Sequence, residues 1–319
     1  MTTHQDMLYH LGGVPVGTSI PFGPNSKYYF VDPANGSDGN AGTNLDQPLA
    51  TIAAAEAKCV ANQHDTVFYV AGSSSDSLSA TLVWDKNYTH LIGIAAPTGV
   101  ATRARIFQAS TATGLSPLLN ITATGCIFSN FYIFQGVDDA TSLINVQVTG
   151  GRNYFQDVHF AGGGHATMAI NGCASLKLNA AEENRFVNCT FGVDTVEAAT
   201  GAVALLFDGE AHRNKFEDCY FTMYAGNAGA AFVEVADATG FDRYNVFRNC
   251  LFTNTSATAM TSAFTIPAGV GAPRTFYLFN SVLHGATDWD TNDRGVMFLN
   301  TGTITAGGNA GIMQAVAAT

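Results

Sequence analysis

NYFQDVHF (153–160), NRFVNCTF (184–191), NKFEDCYF (214–221) and NVFRNCLF (245–252) are four copies of one pattern. It reads Asn, any residue, aromatic, any residue, Asn or Asp, small, any residue, Phe. Weaker copies flank them, CIFSNFYI (126–133) and FYLFNSVL (276–283). In alignment the fifth slot holds Asn130, Asp157, Asn188, Asp218, Asn249 and Asn280, at spacings of 27, 31, 30, 31 and 31 residues. The third slot holds Phe128, Phe155, Phe186, Phe216, Phe247 and Leu278, and the eighth Ile133, Phe160, Phe191, Phe221, Phe252 and Leu283.

Inward side chains along one straight strand keep the same parity. The aromatics of slots three and eight have opposite parity, so the alternation breaks between them. It breaks at Asn or Asp, the non-glycine residues that best tolerate the left-handed backbone region. The pattern therefore predicts two strands joined by a one-residue corner. A third strand lies upstream in each repeat, as in ALLF (204–207), FVEV (232–235) and FTI (264–266). Three strands and three corners in about 30 residues make one coil of a solenoid. The predicted fold is all-β: a right-handed parallel β-helix of about seven coils, with an N-terminal arm and a short capping helix. An antiparallel sandwich gives no reason for one residue type to recur at this interval, and the leucine-rich signature is absent.

Coils stacked about 4.8 Å apart turn equivalent positions into ladders. Phe155, Phe186, Phe216 and Phe247 are expected to stack inside, as are Phe160, Phe191, Phe221 and Phe252. Asn130, Asp157, Asn188, Asp218, Asn249 and Asn280 are expected to line one edge. Cys189, Cys219 and Cys250 then form a thiol ladder, read as small apolar filler rather than a metal or redox site.

Charged residues are 12% of the chain, half the usual share of about 25%, which suits short strands with little helical surface. The net charge of −11 is spread along the chain. Without clustered Lys and Arg there is no surface to track phosphates, so a nucleic-acid partner is not expected. No apolar run approaches the roughly 18 residues of a membrane span. MTTHQDMLYHLGG (1–13) lacks the basic and apolar regions of a secretory signal. The expectation is synthesis in a host cytoplasm without secretion, with the six cysteines free.

In residues 28–55, YYFVD reads as a strand, PANGSDGNAGTN as a turn-rich loop, and Asp46 as the N-cap of a helix with Pro48 in its first turn. Leu49, Ile52, Ala53, Cys59 and Val60 give that helix an apolar face, suited to plug the open end of a solenoid. The string Val31-Asp32-Pro33-Ala34-Asn35-Gly36-Ser37-Asp38, followed by Gly42-Thr43 and Gln47-Pro48-Leu49-Ala50-Thr51-Ile52, resembles the start of pectate-lyase-like β-helix proteins. These occur among secreted bacterial proteins and in phage particles. DTVFYVAG (65–72) and HLIGIA (90–95) are similar to the strands that follow in that family. Residues 1–23, rich in Gly and Pro, resemble the leading arms of phage structural proteins. The expected organisation is an anchoring arm at 1–27, a strand, loop and capping helix at 28–64, the β-helix at 65–300 and a C-terminal segment at 301–319.

Polysaccharide cleavage needs two carboxyls about 5–9.5 Å apart. The candidates are Glu182, Glu183, Glu210 and Asp242, just upstream of the repeated motif. Arg213, Arg243 and Arg274 occupy nearly the same slot on successive coils, which favours a surface ion-pair ladder. Asp138 and Asp139 read as a turn, and so does the stretch from Asp32 to Asn40, which lacks the EF-hand spacing. Pectate lyases of this fold use a calcium-binding acidic cluster with a basic arginine, and no coil here brings three acids together. The histidines show no ligand spacing. No catalytic, cofactor or metal residues are assigned, and the chain is expected not to be an enzyme. The expected role is that of a bacteriophage virion protein, specifically a trimeric head-decoration protein bound to the major capsid protein or another virion protein. The alternative is a tailspike or fibre that binds, and in one version cleaves, host surface glycan, with Tyr154, Tyr220 and Tyr224 as outward aromatics for sugars or for subunit packing.

Overall fold

The computed structural model describes residues 23, 25–162, 172–271 and 274–290, and the backbone of 297–300. The expected C-terminal segment, and all of the expected arm except 23 and 25–27, lie outside the described residues. Three parallel sheets run the length of the molecule. One has ten strands, from Tyr28–Val31 through Thr66–Val70 to Met297–Asn300. The second begins at Asp76–Leu78 and ends at Val282–His284; the third begins at Leu82–Trp84 and ends at Ala286–Asp290. Each coil takes one strand from each sheet in turn, and every pairing is between consecutive coils. This is the right-handed parallel β-helix of about seven turns that the repeat predicts.

The register places the repeated aromatics in columns. Phe128, Phe155, Phe186, Phe216, Phe247 and Leu278 are mutual partners in the first sheet. Phe160, Phe191, Phe221, Phe252 and Leu283 are partners in the second. Rings within a column stack almost parallel: Phe186 on Phe216 at 4.8 Å and 5°, Phe191 on Phe221 at 4.6 Å and 13°. Between columns they meet edge to face, as Phe191 does with Phe216 at 5.7 Å and 71°. Both geometries suit the ring quadrupole and contribute about 0.5–1.5 kcal/mol per pair beyond burial.

Two of the three corners are single residues in the left-handed region. The first is the Asn/Asp column: Asn130, Asp157, Asn188, Asp218, Asn249 and Asn280 all have φ between 49° and 57°. Along this edge Asn188 Nδ2 donates to Asp157 Oδ1, and Asn249 Nδ2 donates to Asp218 Oδ1 at 3.0 Å. The second corner holds Gly125, Arg152, Glu183, Arg213 and Arg243, with φ between 53° and 73°. Gly and Glu interrupt its arginines, so the sequence shows an arginine slot at Arg213 and Arg243 but not a corner.

Slot one of the repeat builds a column that sequence reasoning left without a role. Asn153, Asn184, Asn214 and Asn245 are almost completely buried. Each side-chain oxygen accepts the backbone N–H one coil below: Cys126 N to Asn153, Asn153 N to Asn184, Asn184 N to Asn214 and Asn214 N to Asn245, at 2.8–3.0 Å. Their amides donate to Ala123, Gly150, Ala181 and Ala211 carbonyls. The ladder satisfies the backbone groups that the second corner turns away from the sheets.

The helix forms at Ile52–Lys58, not from Asp46. Thr51 is its N-cap, its hydroxyl accepting from Ala54 N at 3.1 Å. Leu49 is committed to strand-like pairing with Phe30 and Asp32 on its two backbone groups, so the chain through Pro48 cannot coil. Val60, placed on the apolar face by its spacing, lies beyond the extended Cys59 C-cap and is 42% exposed. Ile52, Ala55 and Cys59 are buried in the main core. The helix packs on the Tyr28–Val31, Thr66–Val70 and Leu82–Trp84 strands, closing the first rungs.

Candidate functional site

Three of the four acids flagged as possible catalysts, Glu182, Glu183 and Asp242, gather at the second corner; Glu210 lies ahead of it at a separate left-handed residue, φ 67°, with its N–H on the Thr239 carbonyl. Glu182 and Glu183 lie between two arginines of neighbouring coils. Arg152 reaches Glu182 at 3.2 Å and Glu183 at 2.7 Å; Arg213 reaches Glu182 at 3.3 Å and Glu183 at 2.6 Å. His212 Nε2 sits 3.2 Å from Glu182. One coil further on, Arg243 pairs with Asp242 at 3.5 Å and approaches His212 at 3.3 Å. The arrangement is the expected ion-pair ladder, extended by Arg152, with the His212 ring beside it. Arg274, expected in it, instead donates to the Ala238 carbonyl at 2.8 Å. Exposed pairs of this kind contribute up to about 1 kcal/mol each.

Other flagged acids cap backbone. Asp32 accepts from Ala34 N and Asn35 N, and Asp38 from Ala50 N, Thr51 N and the Thr51 hydroxyl. Asp139 organises the expected turn: it takes the Ser142 hydroxyl at 2.6 Å and Gly114 N at 2.5 Å, and these bonds hold its carboxyl well below the usual range. Among the described residues no three His, Cys, Asp or Glu side chains converge in a way that could hold a metal. Cys189, Cys219 and Cys250 stack in the core, and burial pushes the Cys219 and Cys250 thiols well above their ordinary value. They are filler.

The outer faces are more individual. On the first sheet Arg185 lies over Tyr154 at 5.9 Å and pairs with Glu217 at 2.5 Å. Tyr220 and Tyr224 are half-buried on the second sheet. The outward row of that sheet runs Arg105, Tyr132, His159, Thr190, Tyr220, Leu251, Val282. At His159 and Thr190 it is covered by the chain's own segment 95–104, and Leu251 and Val282 stand 42% and 58% exposed. Sequence reasoning missed this covered row, because the contacts that make it join residues 58 and 91 positions apart.

The coil architecture is a right-handed parallel β-helix of the pectate-lyase-like fold. No protein-family model and no curated protein matches the sequence. Among solved structures, the chain is similar to ORF18 of Geobacillus virus E2, at 13% identity and a TM-score of 0.54, over 74% of this chain and 45% of that one. It therefore spans under half the length of the viral protein. It is also similar to a pectin methylesterase solved with hexasaccharide VII, at 16% identity and a TM-score of 0.59, over 92% of this chain and 94% of that one. A third likeness is to pectin methylesterase PemA from Erwinia chrysanthemi, at 15% identity and a TM-score of 0.57. These likenesses establish the fold. They also correct the expectation that the chain is not an enzyme: the scaffold it shares over nine-tenths of its length carries catalysis in the pectin methylesterases.

Proposed function

We propose that the chain is a structural component of a bacteriophage particle, a head-decoration protein attached to the capsid through residues 1–27. The observation that carries this reading is the coil architecture held in common with a viral protein, ORF18 of Geobacillus virus E2. The internal asparagine ladder and the stacked aromatics support it physically, since they tie each coil to the next and make a stiff body suited to stand on a surface. Three copies side by side would cover outward apolar residues such as Leu251 and Val282 that one copy leaves in water.

The competing reading is a tail fibre or spike that holds host glycan against the sheet faces. The hexasaccharide complex of a pectin methylesterase on the same fold favours it, as does the outward Tyr154 with Arg185 above it. Imaging of labelled protein on intact particles separates the two. Label on heads supports decoration, and label on tails replaces it with the glycan reading. Deleting residues 1–26 is expected to leave a folded β-helix, by circular dichroism, that no longer binds capsids. Undiminished binding by the truncated chain overturns the anchoring role.

A further inference from the structure

Most coils turn from the first sheet to the second through one Asn or Asp. The coil whose first-sheet strand is His90–Ile94 does not. Its chain leaves at Ile94, makes an excursion over 95–104 and rejoins the second sheet at Arg105. The excursion lies across the outward row of the second sheet and passes over later coils. Gly99 and Ala101 adopt positive φ of 72° and 50° at its tip. Two side chains of the row reach up to that tip. Thr190 Oγ1 donates to the Gly99 carbonyl at 2.8 Å, and His159 Nδ1 accepts the Ala101 N–H at 3.0 Å.

The second bond fixes the protonation of the ring. His159 Nε2 lies 2.8 Å from the Gly192 carbonyl, which can only accept. Nε2 therefore carries the proton, and Nδ1 offers a bare lone pair to Ala101. A second proton would turn Nδ1 into a donor facing another donor. The ring is 3% exposed and packs on Tyr132 with centroids 4.9 Å apart, so it has no aqueous orientation available without moving the segment above it.

We infer that residues 95–104 are a strap latched by the unprotonated imidazole of His159, and that acidification opens the latch. The charged groups around the ring are Asp194 in the loop beyond Gly192, Arg105 over the neighbouring Tyr132, and the exposed Arg103 on the strap itself. Burial outweighs the hydrogen bond to Gly192 and the attraction of Asp194 and lowers the latched imidazole from 6.5 to about 4. Opening uncovers His159 and Thr190. The outward row then runs uninterrupted from Arg105 to Val282, joined to Leu251 and Val282 at its far end.

The sign follows from linkage. The open state binds a proton at the ordinary imidazole value, and the latched state only near 4. Opening is therefore favoured as pH falls from about 6.5, roughly tenfold per pH unit, and levels off below about 4. Hydrogen exchange of the full chain, corrected for intrinsic rates, tests this. The strap peptide should lose protection across that window while the strands at 185–191 keep theirs. The His159→Gln variant should abolish the pH step, and Thr190→Val should weaken protection at every pH while keeping the step. Strap protection independent of pH in the natural chain overturns the inference. So does protection lost together with 185–191, or a step that survives His159→Gln.

Discussion

Asn214 accepts from Asn184 N on one coil and donates to the Ala181 carbonyl and to Asn245 Oδ1, while its own N–H meets Asn245 Oδ1 at 3.0 Å. An amide is the side chain that serves both needs, since it offers an acceptor and a donor on one planar group. Leucine at this site fills similar space and strands the Asn184 N–H in a dry interior, while the Ala181 carbonyl keeps the His212 N–H at 3.2 Å. At about 1–3 kcal/mol for a buried group left unpaired, Asn214→Leu is expected to cost about 1–3 kcal/mol, read from the urea midpoint at constant slope. A loss below about 1 kcal/mol would mean that water or backbone movement serves this group, and that the ladder is not what turns the second corner.

The short helix illustrates how one element depends on its neighbours. Seven residues are too few to be stable alone in water, so Ile52–Lys58 exists because Ile52 and Ala55 are buried against the first rungs. Its start is set by Thr51, whose own N–H and hydroxyl are held by Asp38. Thr51→Ala removes the capping oxygen and its hydroxyl's bond to Asp38 together, leaving the backbone bond to Asp38, with an expected loss of about 1–2 kcal/mol. Amide exchange at 52–58 should rise more than in the distant strands at 244–265. An equal rise at both places would show that the helix is a rigid part of the stack and not a separable plug.

At the scale of the whole molecule, acid acts through a second buried ring. His90 Nδ1 accepts from Ile127 N at 3.0 Å, which leaves Nε2–H to donate to His64 Nδ1 at 3.2 Å. Burial, with a smaller contribution from His64, lowers His90 from 6.5 to about 3. The unfolded chain binds this proton more readily, so stability is complete above about pH 6.5 and falls as pH drops toward 3, at about 1.4 kcal/mol per pH unit. Burial raises Glu56, Asp76 and Glu234, which act with opposite sign at acid pH and blunt the slope. Denaturation at a series of pH values between 7 and 4.5 should show the natural chain losing stability and His90→Gln losing less. Parallel curves for the two proteins would remove His90 as the cause.

The sequence by itself determined the coil. Six Asn or Asp residues at matched intervals, each between inward apolar residues of opposite parity, admit one backbone solution, because a single left-handed residue is the shortest way to turn a strand. Residues in one slot then had to stack, and the Phe155 and Phe160 columns follow from strand pairing alone. Three features came only with the tertiary structure. The asparagines of slot one recur as plainly as those of slot five, yet Asn is mostly a surface residue, and its burial shows only once a carbonyl and an N–H of adjacent coils converge on it. The second corner hides behind Gly, Arg and Glu, whose common property is a backbone angle and not a chemistry. The strap over His159 is further still from sequence logic, because its hydrogen bonds join parts of the chain brought together solely by the winding of the coils between them.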